Sequence, residues 1–286
     1  MIKSSEKIHK IIWGRLAWST SRHLIAVAIF LIMIVPFLFM ISTAFRTTYT
    51  PVEVFQHPFP QHFTLVNFQK VLQTNLLGRS FLNSIIVSVF IVSLNMVFDS
   101  MAGYAFAKKK FLGKNLLFSI VLFMMMIPFT VTLVPLYIML AKIRWIDTYM
   151  GICMPQAVSS FGIFMMTQFM KEIPQELLDA AAVDGASEFL TFTNIVIPLC
   201  GPALSALAIL QFLASWNMFM WPLIISQSAN MRTIQVALAL FSDRYGNVNW
   251  GLTMAGSAVA LLPVILIYII LQKRFVQGIS MTGLKL

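Results

Sequence analysis

Six runs of mostly apolar residues, separated by short polar or basic stretches, set the rhythm of the chain: residues 24–45, 81–102, 116–140, 149–170, 199–225 and 252–271. A helix rises about 1.5 Å per residue, so each run is long enough to cross the roughly 30 Å hydrocarbon core of a bilayer. The pattern predicts an all-α, polytopic membrane protein with six transmembrane helices. No Gly-, Ser- or Pro-rich linker divides the runs, so a single membrane domain over residues 1–286 is expected. Residues 46–80 carry Pro51, Pro58 and Pro60 among scattered aromatics and read as a loop with a short helix over residues 66–72. Pro36, Pro128, Pro135, Pro155, Pro222 and Pro263 fall inside the runs, where each removes a backbone hydrogen bond and favours a kink.

Composition supports this reading. The chain is 59% hydrophobic and only 10% charged, more apolar surface than a soluble core can absorb. The net charge of +10 is distributed as a topology signal. On one side of the predicted spans lie Lys3, Lys7, Lys10, Arg15, Arg22, Lys108, Lys109, Lys110, Lys114, Lys171, Lys273, Arg274 and Lys285, 13 of the 20 basic residues; Arg46, Lys70, Arg79, Lys142, Arg144, Arg232 and Arg244 lie on the other. The positive-inside rule then puts residues 1–23 and the tail 273–286 in the cytoplasm and residues 46–80 outside. No basic stripe interleaved with exposed aromatics suggests nucleic-acid binding. Ser42-Thr43-Ala44 resembles a leader cleavage site, but the apolar run before it is longer than a signal core and five further runs follow, so an uncleaved first span is expected.

Little enzymatic chemistry is legible. Cys153 and Cys200 sit in or beside apolar runs, far apart and without redox or metal-ligand spacing, so they read as packing residues and no metal site is expected. Gly113-Lys114-Asn115 is the nearest approach to a phosphate loop, and it lacks both the earlier glycine and the following Ser or Thr. No catalytic residue is assigned.

The segment between the fourth and fifth runs, residues 171–198, is different in kind. Pro174 suits a first helical position, and Glu176 and Asp179 put negative charge near a helix start, where the macrodipole favours it. Ala180, Ala181 and Ala182 are strong helix formers. Gly185 can take a left-handed conformation and end the helix, and Ser187 can cap a second one. Phe189, Phe192, Thr193 and Val196 recur near helical spacing and predict one packing face on that second helix. A helix, a tight turn and another helix follow from the residues alone.

The stretch "DAAAVDGASEFLTFTNIVIPLCGP" resembles the EAA loop of the membrane subunits of binding-protein-dependent ABC importers. Asp179, Ala180, Ala181, Asp184, Gly185, Ala186, Ile195, Pro198, Leu199 and Pro202 sit at matching places, with Asp179 where the family usually has Glu. "FLNSIIVS" from Phe81, "YAFAKKKFLGK" from Tyr104, "SWNMFMWPLI" from Ser215, "NWGLTMAGSAVALLP" from Asn249 and "KRFVQGISMTGLKL" from Lys273 are similar to carbohydrate permeases of the maltose-transporter type, in particular to its smaller membrane subunit. Met218 stands where an acidic residue is often seen, and the tail lacks the usual small residue near Leu284.

The resemblance implies a permease subunit of the bacterial inner membrane that is not itself an enzyme. It implies three kinds of partner besides lipid: a second, homologous permease, a dimer of cytoplasmic ATPase subunits holding ATP and Mg, and an extracytoplasmic substrate-binding protein. The helix over residues 175–190 would couple to the ATPase through Glu176, Asp179, Ala180, Ala181, Asp184, Gly185, Ala186 and Phe189, and the tail would touch it through Gly278, Thr282 and Gly283. Sugars suit amide, hydroxyl and indole groups, so Asn83, Gln156, Ser159, Gln211, Ser215, Trp216 and Asn217 are candidate pathway residues, with Asn95, Ser160 and Gln168 of the same type. Asp99 is the one acidic residue well inside a predicted span, and its position near Lys108 to Lys110 suggests pairing as readily as substrate contact. Glycerol phosphate, a polyol or an acidic oligosaccharide are alternative cargoes. An ion-coupled secondary transporter would show several intramembrane carboxylates, and only Asp99 is available.

Overall fold

The computed structural model describes residues 2–46, 54, 56–57, 59–60, 62–73, 75–243 and 249–282, and for residues 2–17, 19, 75–76, 241–243 and 273–282 it describes the backbone only. Helices and turns make up the described chain, and no strand occurs among the described residues. Three helices are long and apolar enough to cross a membrane, and three further pairs of helices meet that test only when each bent pair is taken together. By contacts the chain falls into two compact units, residues 1–71 with 248–258, and residues 72–247 with 259–286.

The first unit is built on α1 (Ile2–Ala44), which runs through Pro36 without a break. Its apolar stretch Thr20–Ala44 has a mean hydropathy of 3.1, and nothing in its most apolar window is buried. Beyond it, α2 (Val66–Gln73) forms where the short helix was predicted. Asn67 on α2 is buried and ties the end of α1 in place, its amide donating to the carbonyls of Ala44 at 2.9 Å and Arg46 at 2.6 Å. Phe45 packs against Phe63 and Phe68.

In the second unit α3 (Asn75–Lys108) is an unbroken helix of 34 residues, and several of the later helices pack on it. After α3 come α4 (Lys114–Met124) and α5 (Phe129–Lys142). A third piece, α6 (Tyr149–Cys153), ends in a 3-10 turn at Met154–Gln156 and leads to α7 (Ser160–Lys171). The loop helix α8 (Gln175–Val183) precedes α9 (Glu188–Thr191), which runs on through a π turn at Phe192–Val196 and a final turn at Ile197–Leu199. Then follow α10 (Gly201–Trp216), α11 (Met220–Ile225), α12 (Ile234–Asp243) and α13 (Trp250–Thr282), the last shared between the units. One core cluster gathers Tyr104, Met166, Met170, Ile173, Leu178, Val196 and Leu207, and a second gathers Val87, Ile91, Leu140, Ile152, Trp221 and Ile225. Cys153 and Cys200 are free and buried in these clusters, as packing residues should be.

The predicted third, fourth and fifth runs are not straight helices. Pro128 is in extended conformation and starts α5 at an angle of 101° to α4. The fourth run bends by 42° just after Pro155, between the 3-10 turn and α7. The fifth run is α10 followed, after Asn217 to Phe219, by the separate helix α11. A proline lacks the N–H that would continue the ladder and pushes the preceding residue out of the helical region, which accounts for the first break; in the fourth run Met154 stays helical and the chain turns extended only at Ser159, the cap of α7.

Candidate functional site

Spans break at a cost, because backbone N–H and C=O groups freed in hydrocarbon need partners; in membranes such breaks occur where they line a cavity or are buried in protein. Here three of them open on the same space. A cavity of about 540 Å³ is lined by Met124, Ile127 and Phe129 from the α4–α5 break, by Gln156, Ser159 and Ser160 from the α6–α7 break, and by Met218 and Phe219 from the α10–α11 break. Gln211 and Ser215 of α10 and Thr132 of α5 add amide and hydroxyl groups, and the ring of Trp221 completes one wall.

The middle break is held open from α3. The amide of Asn95 donates to the Gln156 carbonyl at 2.9 Å, which satisfies the end of the 3-10 turn. Four residues on, one carboxylate oxygen of Asp99 accepts the Ser159 backbone N–H at 2.9 Å, at the positive end of α7. Ser159 itself caps α7, its hydroxyl accepting from the Gly162 N–H at 3.2 Å. Asn95 and Asp99 are fully buried, and the amide oxygen of Asn95 and the second carboxylate oxygen of Asp99 have no partner among the described residues. A Cβ on Gly162 would collide with the Asp99 carboxylate, so glycine is what lets α7 approach α3 this closely. Asp99 therefore braces a helix N-terminus, and the pairing suggested with Lys108 to Lys110 does not form: Lys108 and Lys109 are engaged with the loop instead.

Of the predicted pathway residues, Gln156, Ser159, Gln211 and Ser215 come together in this cavity, with Ser160. Three do not line it. Asn83 is fully buried and locked by hydrogen bonds, donating to the carbonyls of Asn230 and Arg232 and accepting from the Tyr149 hydroxyl at 2.7 Å. Trp216 is buried between Phe81 and Phe212, its indole N–H bonded to the Ala260 carbonyl at 3.0 Å. Asn217 closes the end of α10 by donating to the Leu213 carbonyl at 2.9 Å. Gln168 is exposed and lies outside the lining as well. Most of the cavity residues that residue type alone missed, among them Met124, Ile127, Phe129 and Trp221, are apolar, and Thr132 is a polar one; Pro128 was the signal that could have found the first three.

The loop is the second candidate element. Gly185 takes φ 78, and the turn around it is a full Schellman motif: Gly185 N–H bonds the Ala182 carbonyl at 3.1 Å and Ala186 N–H the Ala181 carbonyl at 2.9 Å. Ser187 caps α9 through the Leu190 N–H at 3.3 Å. Pro174 stands at the N-cap, one place before its predicted position. Leu178 and Ala181 face inward, and Leu178 enters the core; Glu176, Asp179, Ala180, Asp184 and Gly185 are exposed and Ala186 is half-buried. Asp179 accepts from the Gln175 amide at 3.1 Å, one turn earlier. Phe189 corrects an expectation. It is 69% exposed, whereas Val196 is fully buried. The π turn at Phe192–Val196 adds a residue to the helical repeat, so positions before and after it do not share one face.

Two consecutive lysines of α3 and its end meet this loop. Lys108 donates to the Ile173 carbonyl, and Lys109 forms an ion pair with Glu188, which also accepts from the Tyr104 hydroxyl at 3.1 Å. The hydrogen bond from Lys109 holds the Glu188 carboxyl below the usual carboxylate range. Burial opposes charge on Lys109, but its bonds to Glu188 and Tyr104 leave its pKa above the ordinary lysine value. Among the predicted tail contacts, the side chain of Thr282 and the whole of Gly283 lie outside the described residues, and Gly278 is described as helix backbone only. No group of His, Cys, Asp and Glu that could hold a metal occurs among the described residues.

Known proteins resemble this chain. An arabinooligosaccharide transport system permease protein, AraQ of Halalkalibacterium halodurans, is 38% identical over 227 residues, 79% of this chain and 81% of that protein. The trehalose/maltose transport system permease protein MalG of Thermococcus litoralis is 30% identical over 91% of this chain and 94% of its own. Among solved structures, a chain of a bacterial ABC transporter that imports the acidic polysaccharide alginate has the same fold, with a TM-score of 0.80 over 90% of this chain and 96% of that one at 22% identity. The model of the binding-protein-dependent transport system inner membrane component family matches residues 99–281, from the Asp99 brace through the cavity and the loop to α13, and the chain belongs to that family.

Proposed function

We propose that this chain is one half of the translocation pathway of an ATP-driven importer for a sugar or oligosaccharide. The observation that carries the reading is the convergence of three span breaks on one cavity lined by amides, hydroxyls and aromatic rings. Such a lining pairs with sugar hydroxyls and stacks on pyranose faces. The names of the arabinooligosaccharide and trehalose/maltose relatives support the carbohydrate class. None of the residues lining the cavity is basic. This favours an uncharged sugar over the glycerol phosphate of another relative's name or the alginate of the solved transporter.

In this reading the chain crosses the inner membrane six times with both ends cytoplasmic. The third, fourth and fifth apolar runs then each count as one span despite their breaks. Energy comes from a dimer of separate ATPase subunits, which hold ATP and Mg. Loop 171–198 docks on them through the exposed face of α8 and the turn at Gly185, and residues 278–283 of the tail reach the same partner. A second permease supplies the other half of the pathway. An extracytoplasmic binding protein delivers cargo, in keeping with the solved alginate transporter that carries a periplasmic protein bound to a pentasaccharide.

Reconstitution tests this. Proteoliposomes holding the chain with its second permease and ATPase subunits, supplied with the binding protein, should take up a neutral arabino-oligosaccharide only with internal ATP. Uptake by this chain alone on an ion gradient would overturn the reading in favour of a secondary transporter, and preferred uptake of glycerol phosphate or a uronic oligosaccharide would overturn the neutral cargo.

A further inference from the structure

The contacts of Tyr104, Lys108 and Lys109 are not part of the loop's own fold, yet they engage the loop at both of its ends. Lys108 donates to the Ile173 carbonyl and reaches the Lys171 carbonyl at 3.5 Å, where α7 ends and the chain enters the loop. A cation at this position also complements the negative end of the α7 dipole. Lys109 pairs with Glu188, the first residue of α9, where the chain begins to leave the loop. The Tyr104 hydroxyl bonds the same carboxylate, the ammonium of Lys109 lies 5.1 Å from the centre of the Tyr104 ring, and that ring packs against Phe192 at 5.3 Å. Tyr104 is 7% exposed, so the ring that carries this hydroxyl is held in the core.

The helix that carries these three residues also braces the cavity. Asn95 and Asp99 hold the α6–α7 break from α3, and Asp99 is nine residues from Lys108 in the same unbroken helix, a separation of about 14 Å along the axis. A continuous helix transmits displacement over that distance, whereas a loop held by its own turns alone would absorb it.

We infer that Tyr104, Lys108 and Lys109 form a clasp that locks both feet of loop 171–198 to α3, so that loop and helix move as one body and displacement of the loop reaches the cavity. They are positioning residues, touching neither cargo nor nucleotide. The inference rests on the proposed coupling role of the loop. An exposed ion pair adds little to stability, so removing it should leave the chain folded and show itself in coupling.

The test uses the intact complex in proteoliposomes, with ATP hydrolysed per sugar imported as the readout. Glu188→Gln, Glu188→Lys and Lys109→Glu should each raise that ratio about fivefold, the lower end of typical coupling energies, and Tyr104→Phe, which removes only the hydroxyl, should raise it by less. The exchanged pair Lys109→Glu with Glu188→Lys should bring the ratio back towards wild type. An unchanged ratio in the Glu188 variants, or an exchanged pair no better than either single variant, overturns the clasp. Should a charge variant fail to insert, an unchanged ratio for Tyr104→Phe and Glu188→Gln does so as well. Co-purification of the ATPase subunits separates the two levels: if they do not bind the wild-type chain, the coupling reading fails, and the clasp with it.

Discussion

The penalty for a side chain at Gly185 is one of backbone conformation alone, since no atom lies within 4 Å of where a Cβ would stand. Its φ of 78 is open to glycine, tolerated by Asn and poor for β-branched residues. Gly185→Val should therefore strain the Schellman turn by roughly 1–2 kcal/mol and abolish uptake while the chain inserts normally, whereas Gly185→Asn should keep most of it. Wild-type uptake by an inserted Gly185→Val protein would show that the turn is dispensable. Glu188 gives a pH test. Its pKa is depressed by Lys109, so the stabilising pair is fully present above the ordinary glutamate value and is lost only as pH falls through the lowered one. The ratio of ATP to sugar should stay flat from neutrality down through the usual glutamate range and rise only below it. At this scale much was readable, because a turn needing glycine and a cap needing serine are local demands. The roles of Asn83 and Trp216 were not readable: an amide or indole that binds sugar and one that locks two segments together look alike until their partners are known.

Among elements, the crossing of α3 on α7 depends on two glycines. A Cβ on Gly103 would stand 2.6 Å from that of Met166, and one on Gly162 would strike Asp99. Neither neighbour can swing away, because Met166 and Asp99 are fully buried. Gly162→Ala should destabilise the chain by about 1–3 kcal/mol, read as a lower unfolding temperature in detergent, while an alanine at Gly78, where nothing lies within 4 Å, should have little effect. Equal melting of the two variants would contradict the packing described. Windows of apolar residues marked where the apolar helices lie but not their course. Hydropathy is blind to direction, so the 101° turn at Met125 to Pro128 passes as four more apolar residues. Prolines hinted at the breaks, but only the fold shows that three of them face one cavity.

In the first unit, α1 presents Leu24, Ile32, Met33 and Leu38 more than half exposed, and among the described residues none of its most apolar window is buried. A bilayer can accept such a helix, and so can the partner permease of the proposed importer. If the permease covers it, co-expression of that subunit should raise the yield of intact, membrane-inserted chain several-fold over expression alone; equal yields would mean that lipid suffices. The sequence carried the class, the topology signal and the loop, each of which is written in composition or short spacing. The cavity depends on where distant breaks meet, and that information is spread over residues 124–221.

The extra residue in the π turn at Phe192–Val196 also bears on how such a chain can evolve. In an uninterrupted helix the identity of each face is inherited by every later turn, so a change that suits a soluble partner at one end constrains what may face lipid at the other. A single-residue slip between the two ends removes that inheritance. The portion around Phe189 is then free to drift with the surface it meets in water, and the portion from Val196 onward keeps its own register in the core. Restoring the regular repeat by deleting one residue from 192–196 would rotate one half against the other by about 100°, joining two surfaces that selection can now adjust separately.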